Sequence, residues 1–536
     1  MRREFIRVTT SVDESRVRIV AARCGGALLT ALLIILAFPS PDQGWLAWVA
    51  LVPLLLACRG LAPGSAFALG LLTGVGAAFG IMWWLFQVPG FSAHHGLIIA
   101  LCLAVYPAAW CAGLPFLSQA RLPLIVSVPA LWVVLEYMRG HAGFLALPWT
   151  TFAHSQHRNL PVLQMATLTG EAGVTFLVVM GSVAIAGLVA ERAWRSAIVA
   201  ALVIALAHAA GALALGRPMA TSSMQVAVVQ PSIRLEERQV RSGRDATLNR
   251  LEQLTLSAAA RRPALIVWPE TAVGDLSRDR ALAERLQTLA LTAQTPLIVG
   301  ASESFKFAPR EDEVVLRVRS YNSAYFVIPG RPLAEPYRKL RLVPFGEYLP
   351  LGGVVPWPSW LVPRVHAMTP GEVRRQFTLH DGLQVGALIC WENLFADFVR
   401  PAVRDGARVL VQLTNDVWFG RTGASRQHNL ASVLRAVENR TPVVIASNTG
   451  PSQIIDPYGR VVASVPTLFG EGVASSTVSL GVGGTPYTRT GDLFALAAFA
   501  CVAFEGLRRV IQRLVARRAS TCPDAGVRSI TEPTHQ

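Results

Sequence analysis

The sequence predicts a multi-pass α-helical membrane protein with a large α/β domain inserted before its last helix. Three observations carry that prediction. Of 536 residues, 52% are apolar and only 15% charged, and the mean hydropathy is +0.42. Soluble domains carry about 25% charged residues, and disorder requires low hydrophobicity with high charge density, so neither class describes the whole chain. The apolar residues gather into eight runs, and between residues 215 and 490 short strand-like and helix-like segments alternate without such a run.

The runs lie near 19–38, 44–59, 65–87, 96–118, 123–138, 172–190, 195–214 and 491–507. Each approaches the roughly 20 residues that cross about 30 Å of hydrocarbon as a helix; the second, fifth and eighth are the shortest. The predicted division is a seven-span helical region at 1–214, an extramembrane domain at 215–490, and an eighth helix with a basic end at 491–518. A disordered tail is predicted at 519–536.

Arginine placement orients the spans. Arg2, Arg3, Arg7, Arg16 and Arg18 precede the first run, and Arg508, Arg509, Arg513, Arg517 and Arg518 follow the last. By the positive-inside tendency both termini are cytoplasmic, which requires an even number of spans. Arg59, Arg121, Arg192 and Arg195 then fall in inner loops, whereas the loops at 39–43 and 88–95 hold no Arg or Lys. The loop at 139–171 and the large domain fall outside. No small-x-small cleavage site follows the first run, which reads as a signal anchor.

The net charge of +15 comes from 49 basic and 34 acidic residues. Residues 215–490 account for about half of the excess, and the rest flanks the spans. A nucleic-acid binder would concentrate it on a soluble domain with a recognition motif; nucleic acid is not a predicted partner. A basic domain beside a bilayer suits anionic headgroups instead.

Seven cysteines are present, and only Cys390 falls in the external domain. It has no partner there for an intradomain disulfide. A lone external thiol is either a buried structural residue or one that chemistry needs. Leu383–Cys390 reads as a strand running into Trp391-Glu392-Asn393, a strand-to-helix turn of the kind that presents nucleophiles. Helix-start N–H groups there can lower a thiol pKa. A thiol also needs a base and a stabiliser of charge. Glu270 stands just past the strand Ala264–Val267, and Lys339 is one of only two lysines against 47 arginines. Taken singly, Glu270 reads equally well as a helix cap, and Lys339 as a solvated amine.

Together, WPE at 268–270, the Lys of RKLRLVPFGE at 338–347 and the Cys of ICWEN at 389–393 resemble the Glu-Lys-Cys triad of the nitrilase superfamily. With seven helices before that domain and one after it, the chain resembles the apolipoprotein N-acyltransferases. LPWTTFAHSQ at 147–156, GEAGVTF at 170–176, LTNDVWFG at 413–420 and TPYTRTGD at 485–492 extend the resemblance over nearly the whole chain. Two departures are visible: Trp391 stands where relatives often have Tyr, and Arg234–Gln239 lacks a tryptophan found in some of them.

The resemblance implies an αββα sandwich for residues 215–490 and an enzyme of the bacterial inner membrane with its catalytic domain in the periplasm. It implies transfer of a fatty acyl chain from a phospholipid to the α-amine of a diacylglyceryl-cysteine on an apolipoprotein, the third step of lipoprotein maturation. The route is ping-pong, through a Cys390 thioester, with Glu270 as general base and Lys339 stabilising the oxyanion. It implies no cofactor. Glu347 and Glu392 are assigned to orienting Lys339 and shaping the pocket, with Trp391 beside them. Trp357 and Trp360, on the Pro- and Gly-punctuated loop 351–368, are lipid-access candidates, as is Trp149, because aromatics favour the membrane interface.

Glu136, inside a predicted span, is either functional or paired with Arg139 at helical spacing. His94-His95 and His154/His157 lack carboxylate or thiol ligands at metal spacing, and no metal is predicted. Two other readings stay open. A membrane-tethered amidase would use the same triad on a small periplasmic amide. A transporter or sensor would bind ligand without covalent chemistry at Cys390.

Overall fold

The computed structural model describes residues 2–218, 222–239, 241–307, 317–362 and 367–521; the predicted disordered tail lies outside them from residue 522. The helical region comprises α1 (Arg2–Ala37), α2 (Val52–Ala57), α3 (Pro63–Met82), α4 (Ala93–Leu117), α5 (Leu124–Gly140), α6 (Leu160–Leu163), α7 (Ala166–Glu191) and α8 (Trp194–Leu215). Among the described residues five helices are long and apolar enough to cross a membrane: 14–37, 63–87, 93–117, 166–191 and 194–215.

The other three runs differ from the expectation of full-length spans. The run at 44–59 is not one helix: a 3-10 turn, Gly44–Trp48, is followed by the six-residue α2. Pro53 in the first turn of α2 suits a helix start, not a helix interior. Helix α5 has 17 residues, about 25 Å at 1.5 Å per residue. The last helix, Leu493–Thr521, carries Glu505, Arg508 and Arg509 along its 29 residues.

Small residues let α3 and α4 approach closely. A Cβ on Gly74 would lie 2.5 Å from the Ala104 Cα, and one on Gly70 would lie 2.5 Å from the Pro107 carbonyl oxygen. Gly70 and Gly74 four apart on α3, facing Ala104 and Ala108 on α4, make the small-xxx-small contact by which apolar helices associate.

The inserted domain continues with β1 (Ser223–Gln230), α9 (Leu235–Gln239), α10 (Arg241–Ala259), β2 (Leu265–Val267), β3 (Val273–Asp275), α11 (Arg280–Ala293), β4 (Leu297–Phe307), β5 (Arg317–Val327), β6 (Tyr337–Arg338), β7 (Gln376–Thr378) and β8 (Gln384–Ile389). It closes with α12 (Ala396–Arg404), β9 (Ala407–Thr414), α13 (Ala424–Asn439), β10 (Val443–Ser447), β11 (Ser452–Ile455), β12 (Val461–Val465), β13 (Gly472–Ser479), α14 (Pro486–Thr490) and α15 (Leu493–Thr521).

Two sheets form. One has the order β13-β1-β2-β4-β5-β6, with β3 on β4; the other runs β12-β11-β10-β9-β8-β7. Side chains alternate along each strand, and the alternation builds three layers. Val226, Val228, Val267 and Ile298 face Val385, Ile389, Val411 and Val444 between the sheets. Ala227, Ile266 and Val299 point outward onto Leu251 of α10 and Leu286 of α11. On the second sheet, Leu388, Leu410 and Ile445 point outward onto Leu434 and Val437 of α13, in one buried cluster with Val174 and Val178 of α7. This is the αββα sandwich, and its second helical layer lies between the sheet and the membrane helices.

The candidate catalytic site

The candidate residues sit past the ends of strands β2, β6 and β8. β1, β2 and β4 are mutually parallel, as are β8, β9 and β10. Open α/β sheets collect ligand-handling groups at the carboxyl ends of such strands. Past β2, Pro269 ends the ladder and Glu270 follows. Gly300 on β4 makes room for it: a Cβ there would lie 2.1 Å from the Pro269 carbonyl oxygen and 2.7 Å from the Glu270 Cα. Asn322, in the middle of β5, serves two partners. Its carbonyl oxygen accepts the Lys339 N–H at 2.8 Å, and its side-chain amide donates to Glu270 Oε1 at 2.6 Å. Burial pushes the Glu270 carboxyl above its usual value, with the Lys339 charge opposing.

The Lys339 side chain is fully buried, with Nζ 2.6 Å from Glu347 Oε1 and 3.7 Å from Glu270 Oε1. The other Glu347 oxygen accepts the Val343 N–H at 2.7 Å, which fixes the carboxylate. Burial works against the charged amine; the charges of Glu347 and Glu270, and of Cys390 whenever it is a thiolate, outweigh it and raise the Lys339 pKa. Glu347 therefore orients Lys339 directly.

Cys390 follows β8 with φ +55° and begins a five-residue 3-10 turn, Cys390–Leu394. A non-glycine residue at such a φ is uncommon, and here it falls on the strand-to-turn corner. The thiol is pushed well above its usual value, first by burial and then by Glu270, with Lys339 opposing. This corrects the expectation that the helix start would lower it. A single 3-10 turn offers little aligned dipole, and α12 begins only at Ala396. Burial and the neighbouring carboxylate thus favour the thiol over the thiolate.

Glu392 does not touch the Lys339 amine. Its Oε1 accepts the N–H groups of Leu340 (2.8 Å) and Arg341 (3.0 Å). Its Oε2 accepts the Ile389 N–H and the Tyr337 hydroxyl, both at 2.8 Å. One buried carboxylate thus ties the nucleophile turn to the lysine segment. Trp391 adds a second tie, its Nε1 donating to the Arg341 carbonyl at 2.6 Å, with its ring edge-on to Phe395. The indole N–H keeps a polar handle where relatives often place a phenol.

The aromatic candidates separate. Trp357 is half-buried, donates from Nε1 to Pro350 O at 2.6 Å and packs edge-on against Phe345. Trp360 is 60% exposed, and its carbonyl oxygen lies 2.8 Å from His94 Nε2 at the start of α4. Residues 363–366 of that loop lie outside the described residues. Trp149 is buried, donates to Gln427 Oε1 at 2.9 Å and lines an open, largely apolar pocket among α1, α3, α4 and α5. Glu136 accepts from the Phe152 N–H and the Thr175 hydroxyl and makes no pair with Arg139.

Asn322, Gln427 and the pair Asp416–His428 were not singled out from sequence. Gln427, on α13, donates to the carbonyls of Pro39 and Ile81 and accepts from the indoles of Trp84 and Trp149. The one signal for Asn322 was a buried-pattern strand, RVRSYNSAYFV, interrupted by an amide.

A thiol on a strained turn, beside a buried carboxylate and a buried ammonium in an αββα sandwich, defines a carbon–nitrogen hydrolase domain. The model of that family, described as carbon-nitrogen hydrolase, matches residues 225–485. The model of the apolipoprotein N-acyltransferase N-terminal domain matches residues 30–184. An apolipoprotein N-acyltransferase of Geobacter metallireducens is 35% identical over 514 residues, covering 92% of this chain and 95% of its own. Those of Gloeobacter violaceus (33% identical, 79% of this chain and 82% of its own) and Chlorobaculum tepidum (28% identical, 87% and 92%) are also similar. The chain belongs to the apolipoprotein N-acyltransferase family, and it is a membrane-embedded acyltransferase.

Proposed function

We propose that this enzyme moves a fatty acyl chain from a membrane phospholipid to the α-amine of an S-diacylglyceryl-cysteine at the start of an apolipoprotein, through a thioester on Cys390. The observation that carries this reading is the Glu270–Lys339–Cys390 constellation, its carboxylate and ammonium buried and its thiol half-buried, beside a helical layer that packs directly against membrane helices.

Glu270 takes the thiol proton as Cys390 sulfur attacks the ester carbonyl, and Lys339 stabilises the oxyanion that forms. The C–O bond breaks, Glu270 returns the proton to the leaving oxygen, and lysophospholipid departs. The acceptor ammonium releases one proton to solvent. Its nitrogen then attacks the thioester, the C–S bond breaks, and Glu270 carries the second proton from nitrogen to sulfur. A raised Glu270 pKa suits a group that must both take and return a proton.

Trp357, Trp360 and Trp149 are the proposed lipid-access residues. The pocket beside Trp149 is open and lined mainly by apolar side chains, among them Ile34, Ile81 and Leu103, and Trp360 is exposed on its loop. The proposed topology has eight crossings, both termini cytoplasmic, and the catalytic domain in the periplasm. Two contacts support it. Arg59 pairs with Glu191 at 3.1 Å, joining two loops assigned inside. Glu505 of α15 accepts the N–H groups of Arg121 and Leu122, joining a third inner loop to the last helix.

Intact-protein mass after incubation with phospholipid tests the reading. The expected result is a hydroxylamine-sensitive gain of one acyl mass, absent in Cys390→Ser. Delivery of that acyl to a diacylglyceryl-cysteinyl peptide separates the transferase from a membrane-tethered amidase. An active protein that never carries the adduct overturns it.

A further inference from the structure

One carboxylate near Cys390 has no place in the steps above. β8 and β9 are parallel with Ile389 opposite Leu413, so Cys390 stands beside Thr414 and Asp416 follows two residues later. Asp416 is 1% exposed. Its Oδ1 accepts the Thr414 hydroxyl at 3.0 Å and lies 3.1 Å from His428 Nδ1. Its Oδ2 is buried without a hydrogen-bond partner, as is His428 Nε2. The His428 ring lies nearly parallel to that of Trp149, 5.5 Å between centroids, and Trp149 forms a wall of the apolar pocket.

A bare carboxylate oxygen in a buried site costs free energy unless something pairs with it. The site's own cation is already committed: Lys339 Nζ is held by Glu347 at 2.6 Å and faces Glu270 at 3.7 Å. The register of β8 and β9 sets Asp416 on the Cys390 side of this group. Glu347 and Glu270 thus take up the one ammonium, and the second oxygen of Asp416 is left for a donor from outside. The first half-reaction brings no positive charge to the reacting carbonyl. The second brings one, on the nitrogen that must reach the thioester.

We propose that Asp416, braced by Thr414 and His428, receives the α-ammonium of the acyl acceptor on its free oxygen and holds that nitrogen at the Cys390 thioester. This rests on the function proposed above and names the group that recognises its second substrate. The ion pair forms before any bond changes; the proton transfers and the C–S cleavage then follow as described. Selection of an amine over water or an alcohol begins with this contact.

The test separates the two half-reactions in Asp416→Asn. The loss falls on transfer: near pH 7 the KM for a diacylglyceryl-cysteinyl peptide rises at least about ten-fold, much more than single-turnover thioester formation slows. The difference narrows above the α-amine's ordinary pKa of about 7.7–8.0, where the acceptor is uncharged. Equal slowing of both half-reactions, or a KM ratio that ignores pH, overturns the proposal. A second measurement needs no change at Asp416: Cys390→Ala should bind the α-amine lipopeptide about ten-fold tighter than its α-hydroxyl counterpart near pH 7, and equal binding overturns it. A wild-type protein that forms no thioester sinks the proposed function, and this inference with it. Normal thioester and transfer with Asp416→Asn unaffected sink only this inference.

Discussion

The Glu392 carboxylate accepts the Leu340 N–H at 2.8 Å, joining the residue two past the nucleophile to the residue one past the lysine. The same carboxylate holds the Ile389 N–H just before Cys390 and the Tyr337 hydroxyl just before the lysine strand ends. Burial pushes it above the usual carboxylate range, while these bonds oppose the push. The spacing of thiol and ammonium therefore depends on one buried group that touches neither.

Glu392→Gln keeps one accepting oxygen and replaces the other with a donor. At least one of the buried N–H or O–H groups it served loses its acceptor, at a cost of about 1–3 kcal/mol. Expressed in the transition state, that is roughly a 5- to 150-fold loss. Single-turnover thioester formation should slow by that amount with the lipid KM little changed. A wild-type rate would show that the Trp391 tie suffices alone.

Glu270 sets a pH dependence of opposite sign for stability and activity. Its folded-state pKa is raised, chiefly by burial. The stability it contributes is full below its unfolded value and is lost as pH rises through the folded one. Glu270→Gln removes that loss and still accepts from Asn322. The variant should melt above wild type at pH 7–8, converge with it near pH 4, and form thioester roughly 10²- to 10⁴-fold more slowly. In wild type, thioester formation should rise with pH through the raised Glu270 value. A variant that melts below wild type across this range would mean that the Lys339 attraction outweighs burial.

Much of this was legible in sequence, for identifiable reasons. An inserted domain with a single cysteine, in a chain with two lysines, isolates Cys390 and Lys339 by scarcity. Apolar runs mark where helices gather, but not where one breaks: the run at 44–59 is apolar throughout and yet divides into a 3-10 turn and a short helix. Glu392 stands two residues from the nucleophile, and only the fold shows that its oxygens turn to backbone N–H groups instead of the ammonium. Gln427 carries no signal in the sequence, and Asp416 lies within LTNDVWFG without standing out there. Gln427 meets partners 388 and 343 positions away, and Asp416 draws its importance from a strand register.

Gln427 joins the catalytic domain to the membrane helices through one amide. It donates to Pro39 O at 2.6 Å and Ile81 O at 3.2 Å, and accepts from Trp84 and Trp149 at 3.2 and 2.9 Å. Gln427→Ala leaves two buried indole N–H groups and two carbonyls without this partner. With unsatisfied groups costing about 1–3 kcal/mol each and partial relaxation, a destabilisation of about 3–5 kcal/mol is expected. Thermal melting in detergent measures it, and acyl transfer should fall as the docking of α13 loosens. Gln427→Glu keeps the acceptor for both indoles but sets a carboxylate against two carbonyl oxygens, so it should be no better than alanine. Wild-type melting in both variants would remove Gln427 as the joint.

Trp360 offers the last separable effect, because its ring is outside while its backbone is tethered. The ring is 60% exposed and meets His94 edge-on at 5.6 Å between centroids, and the carbonyl lies 2.8 Å from His94 Nε2. If the exposed indole enters the headgroup layer, about 40–60 Å² of apolar area leaves water, or roughly 1 kcal/mol at about 25 cal/mol per Å². Trp360→Ala should therefore raise the KM for vesicle phospholipid about five-fold. Hydroxylamine cleavage of a preformed thioester requires no lipid to enter and should proceed at the wild-type rate. His94→Ala leaves the indole in place and frees the loop, so it should change the donor KM less than Trp360→Ala does. If kcat falls in Trp360→Ala while the donor KM holds, the loop acts on the chemistry of the site instead of on lipid access.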